Sequence, residues 1–141
     1  MLTFDVVYER PAVLLMGSVE ELQEVHDVLQ RAAASYGGCD PSHVALTRLA
    51  HSVAGAAPDE CSADTQQLRV SLDALSLMEP VMVLGEWMHK AGTATAAHAV
   101  AVRLQRVLIA ALESVVATAT NGIQSLFPHS VFVTSGPRVL H

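Results

Sequence analysis

The chain has 141 residues, 51% of them hydrophobic and 16% charged, with a formal net charge of −6. That balance excludes a disordered chain, which needs low hydrophobicity and high charge. It also speaks against nucleic-acid binding, because the sequence holds no basic run and no platform of Lys/Arg interleaved with aromatics.

The length suits one domain, residues 1–141, and the 4% aromatic content calls for an aliphatic, alanine-rich core. Leu2 to Tyr8 is rich in β-branched and aromatic residues and reads as a strand. Glu9-Arg10-Pro11 reads as a turn and Ala12 to Met16 as a second strand, which together make an antiparallel hairpin. Pro11 cannot donate to the ladder and belongs in the turn or at the strand's first position. The N-terminal segment carries Asp5 and Glu9 where a signal peptide needs a basic start and an apolar run, so a soluble, cytoplasmic protein is expected.

Ser18-Val19-Glu20-Glu21 matches a capping box and opens a helix. Leu22, Val25, Leu29, Ala32 and Ala33 recur at helical spacing and form its buried stripe, while Glu20, Glu24, Asp27 and Arg31 face outward. Gly37-Gly38 ends it. Asp40-Pro41 starts a second helix, with an acidic N-cap and proline at the first helical position. Its stripe is Leu46, Leu49, Ala50 and Val53, and Gly55 stops it. Residues 55–63 are the most loop-like stretch of the chain.

Residues 66–79 carry two periods at once. Leu68, Val70 and Leu72 alternate as in a strand, and Leu68, Leu72, Leu75 and Met78 are spaced as in a helix. The reading adopted is a strand at 67–72 and a helix from Asp73, which Pro80 must kink or restart.

The segment Ala91 to Leu126 holds only three formal charges, Arg103, Arg106 and Glu113. Most of it reads as one long helix, apolar around nearly its whole circumference, with Asn121-Gly122 as its C-cap. Its polar stripe is narrow: Arg103, Arg106, Ala110, Glu113 and Ala117. Such a helix is either wrapped by its own domain or covered in part by a homodimer through residues 93–120 or by another chain. The window Ala94 to Leu112 includes His98, Arg103, Gln105 and Arg106, so no membrane span is expected. Val131 to Thr134 reads as a last strand. The expected class is α+β: a small antiparallel sheet of the N-terminal hairpin plus the C-terminal strand, covered by about four helices, with one long central apolar helix.

Charge divides unevenly along the chain. Residues 1–86 hold thirteen acids and four bases, whereas residues 87–141 hold one acid, Glu113, against Lys90, Arg103, Arg106 and Arg138. Either the acids sit on outer helices for solubility, or they form a face for a basic partner.

Motifs for chemistry are weak. Cys39, His43, His51 and Cys61 supply two thiols and two imidazoles, a donor set zinc accepts, but without the compact paired spacing of zinc motifs. The plainer reading is two reduced cysteines and two surface histidines. Cys39, placed after two glycines and before a helix N-terminus, could be an activated thiol. No nucleophile-elbow, dinucleotide or phosphate-binding loop is present, and no cofactor is implied. Met78, Met82, Trp87 and Met88 cluster in sequence and make either an apolar groove or ordinary core. His89 and His98 flank Gly92, and His98 reads as a partly buried, hydrogen-bonded histidine or a pH-responsive one. The function expected is therefore a small acidic binding protein without catalysis, of inhibitor, immunity or adaptor type. It would hold a protein partner through Glu20, Glu24 and Asp27. The alternatives are a metal or thiol enzyme built on Cys39, His43, His51 and Cys61, and an apolar-ligand binder.

Overall fold

Period-two patterning builds the sheet. The computed structural model describes residues 2–7, 11–58, 67–91 and 95–126, with the backbone alone at 58 and 118–126. Four antiparallel segments lie in the order β1-β2-β4-β3: β1 (Thr3–Val7), β2 (Ala12–Ser18), the two-residue β3 (Ala57–Pro58) and β4 (Gln67–Asp73). Register puts Phe4, Leu15 and Val70 in one row and Val6, Val13 and Leu72 in the next. Side chains alternate faces along a strand, so these six share the side that the helices cover. Val13 and Leu15 are fully buried there. Gly17 extends the same row pattern: a Cβ on it would meet Leu2 Cδ1 at 3.1 Å and Glu21 Cβ at 3.5 Å. The absent side chain lets β2 pass directly into the first helix.

That helix is α1 (Val19–Ala34). Its capping box is complete: the Glu21 N–H donates to Ser18 Oγ at 3.1 Å, and the Ser18 N–H donates to Glu21 Oε1 at 3.0 Å. α2 (Pro41–Ala54) starts on Asp40, whose Oδ1 accepts the Ser42 N–H at 2.8 Å, with proline in the first turn where a missing N–H costs nothing. α3 (Met78–Ala91) and α4 (Ala96–Leu126) complete the helical layer. One cluster of buried residues joins β2 and β4 to all four helices, through Leu15, Leu29, Leu46, Leu72, Leu84 and Leu104 among others. The α+β class holds, with four helices over a small antiparallel sheet among the described residues.

Three expectations need correction or relocation. The sheet's third full strand is β4, from mid-chain, paired to the free edge of β2; the C-terminal strand expected at 131–134 lies outside the described residues. The helix expected from Asp73 begins at Met78. A 3-10 turn, Ala74–Leu77, comes first, and the Ala74 N–H donates to the Pro11 carbonyl at 2.8 Å. Pro80 then falls in the first turn of α3, where its missing N–H has no helical partner to lose, so the helix restarts two residues before it. Finally, Asn121-Gly122 does not cap the long helix, which continues to Leu126. A glycine inside a helix costs only about 1 kcal/mol, and the residues on either side of this one keep helical spacing.

None of the described helices is long and apolar enough to cross a membrane.

Candidate functional site

α1 presents two unlike faces. Leu22, Val25, Val28, Leu29, Ala32 and Ala33 are buried toward the core. On the opposite side Glu20, Glu24 and Asp27 are all exposed, and spacing of i, i+4 and i+7 lines them up as one ridge. Asp27 is held in place by Gln23, whose Nε2 donates to Oδ1 at 3.0 Å, and His26 Nδ1 lies 3.7 Å from the same oxygen. Glu24 faces Arg103 of α4, with 3.7 Å between Oε2 and Nη2. Both side chains of that pair are more than half exposed, so solvent and salt leave it little stabilising energy, and the Arg103 cation offsets part of the Glu24 charge. Arg103 as the neighbour of Glu24 was invisible in the sequence, because seventy-nine positions separate them and nothing local links α1 to α4.

Glu21 points the other way, into the capping box. Partial burial works to raise its pKa, but the bond from the Ser18 N–H and the carboxylate's other contacts outweigh this and hold it below the ordinary 4.5. It belongs to the helix start and not to the ridge.

The four thiol and imidazole residues are not brought together by the described residues. Cys39 is exposed in the α1–α2 connection, and His43 Nδ1 is 2.8 Å from the Ala33 carbonyl, which ties up one ring nitrogen. His51 is exposed two turns further along α2, and Cys61 lies outside the described residues. Among the described residues no group of three or more His, Cys, Asp or Glu side chains could hold a metal.

The methionine–tryptophan cluster separates into two environments. Trp87 and Met88 are buried in the core at 8% exposure each, whereas Met78 and Met82 are exposed on the far side of α3. They do not line one groove. The physical reason is the helical turn: residues nine apart, such as Met78 and Trp87, stand on opposite faces.

Two open clefts were missed by sequence reasoning. The larger, about 840 Å³, runs between α2, the end of β4 and the 3-10 turn, and includes Arg48, His51, Asp73, Ser76 and Glu79. Two of its hydroxyls have partners: Ser76 Oγ donates to Asp73 Oδ2 at 2.8 Å, and Ser52 Oγ donates to the Arg48 carbonyl at 3.1 Å. Neither bond is to a histidine, so this cleft assembles no nucleophile–base pair from them. The smaller, about 320 Å³, follows the α1–α2 seam past His26, His43 and His51. Beyond the end of that seam, burial pushes the Tyr36 hydroxyl pKa up from 10.0, and the nearby Glu86 carboxylate adds to the effect.

No family model, no curated protein and no solved structure matches this chain. The functional reading rests on its own residues.

Proposed function

We propose that this chain is a small acidic binding protein without catalytic activity, which acts by occupying a basic protein partner. The observation that carries the reading is the ridge of Glu20, Glu24 and Asp27, three exposed carboxylates in line on one helix, on a chain of net charge −6. The buried face of α1 fixes the ridge to the core, so it is a rigid surface and not a mobile acidic tail. A rigid acidic line steers a basic surface into register and raises the association rate, more than it raises final affinity.

The experiment is affinity capture from the source cell's lysate with the wild-type chain and with E20K/E24K/D27K, followed by kinetics on the captured protein. A basic protein should be retained by the wild type and lost by the triple variant. Its association rate with the wild type should drop at least about tenfold as the salt is raised from low to physiological ionic strength. Retention of the same protein by both chains, with equal rates and equal salt dependence, overturns the proposal.

A further inference from the structure

α4 carries two apolar faces. The first, through Ala101, Leu104, Leu108 and Ala111, is fully buried in the core. The second repeats every seven residues, at Val102, Ile109 and Val116, with Gln105 and Leu112 three residues after the first two. That is the a/d spacing of a coiled-coil seam, laid along a different side of the helix. The chain itself leaves its outer edge open: Val116 is 64% exposed and Ile109 40%, while Val102 and Leu112 are half-buried against the core. The sequence carries the same register on to Ala119, Ile123 and Leu126, the end of α4.

One flank of the seam is α3. Gln105 Nε2 lies 3.4 Å from the Val81 carbonyl, and a Cβ on Gly85 would fall 2.7 Å from the same nitrogen. Helices joined by so short a link pack antiparallel. Met78 is then level with Ile109, and on the helical wheel it stands beside Gly85 on the solvent side. Met78 and Met82, 58% and 72% exposed, widen the open strip on that side, whereas Leu75 lies in the cleft against α2.

The geometry points to a second copy of this chain as the occupant, with the two α4 helices antiparallel about a two-fold axis between Ile109 and Ala110. Charge selects this occupant. Arg106 and Glu113 are exposed and border the seam on the side away from α3, at equal distances from that axis. Within one helix they stand about 10 Å apart along the axis, too far to pair. In the antiparallel arrangement Arg106 comes beside the partner's Glu113, and Glu113 beside the partner's Arg106, so one sequence complements itself twice. A parallel arrangement would set Arg106 and Glu113 across from positions 101 and 108 of the partner, which are Ala and Leu and offer no charge. The overlap of two such helices spans about 42 Å, and a strip about 10 Å wide buries roughly 800 Å² in total. Met78 and Met82 of both copies bring it to about 900 Å², the size of a weak, concentration-dependent interface. The inference narrows the expected dimer face of residues 93–120 to one strip, and it is independent of the acidic ridge on α1.

Sedimentation velocity over a wide protein concentration range tests it, using the full chain, I109E/V116E, R106E, E113R and R106E/E113R. The wild type should be a dimer. I109E/V116E should be a monomer with unchanged helical circular dichroism. Each single charge reversal should weaken dimerisation about fivefold to tenfold, and the double reversal should restore it to within about twofold. Should I109E/V116E lose its helical signal, the charge-reversal set decides alone. A monomeric wild type at every concentration, a dimer that survives I109E/V116E, or a double reversal no tighter than the singles overturns the inference.

Discussion

At the scale of single residues, the start of α1 is specified by a reciprocal pair of bonds. Ser18 and Glu21 satisfy each other's backbone N–H groups. Ser18→Ala removes one half of that exchange and should lower stability by about 1 kcal/mol in a urea melt. Glu21 adds a pH dependence of known sign. Its folded pKa lies below the ordinary 4.5, so its contribution is fully present above that value and is lost as pH falls through the folded value. Glu21→Gln keeps an acceptor for the Ser18 N–H but cannot titrate. The variant should therefore match the wild type within about 1 kcal/mol at neutral pH and lose less stability between neutral pH and pH 3, read as Tm against pH. A wild-type acid limb as steep in the variant would assign that limb to other carboxylates.

At the scale of elements, buried stripes hold the layers together, and exposed apolar residues contribute little to folding. Leu29 on α1 is fully buried, whereas Val19 at the start of the same helix is 54% exposed. Leu29→Ala should cost about 2–5 kcal/mol, because it opens a cavity between α1 and α2. Val19→Ser should stay within about 0.5 kcal/mol, and paired chemical denaturation curves separate the two. The same contrast explains what the sequence disclosed. β1, β2, α1 and α2 were legible because each carries a local signal: alternation, a capping box, or an acid before proline. The start of α3 was not. Residues 66–79 satisfy strand and helix periods together, and the choice falls to β2, whose free edge pairs with Gln67–Asp73. The 3-10 turn follows from that choice, since Ala74 must reach the Pro11 carbonyl before the helix can begin. The ridge of Glu20, Glu24 and Asp27 was legible as spacing, but its neighbour Arg103 was not, because that proximity is made by packing across the fold. The cleft past Arg48, Asp73 and Glu79 was illegible for the same reason: only packing brings α2 against the later stretch from β4 into α3.

At the scale of the whole molecule, the two proposed surfaces lie on different sides of α4. Arg103 faces Glu24 of α1, while Val102, Ile109 and Val116 run along the side next to α3. Nothing in this placement makes one surface wait on the other, and a two-fold dimer would carry two acidic ridges. Linked ridges convert a second binding event on a shared surface into an intramolecular one, so avidity should appear wherever partner molecules are arrayed closely. The two sets of substitutions should therefore act separately. E20K/E24K/D27K should keep the sedimentation mass of the wild type while losing the salt-sensitive association. I109E/V116E should bind a single partner molecule in solution with the wild-type association rate, yet dissociate faster, by about tenfold or more, from a surface densely coated with that partner. If the ridge substitutions also dissolve the dimer, the two surfaces are one, and the antiparallel α4 pair is the wrong arrangement.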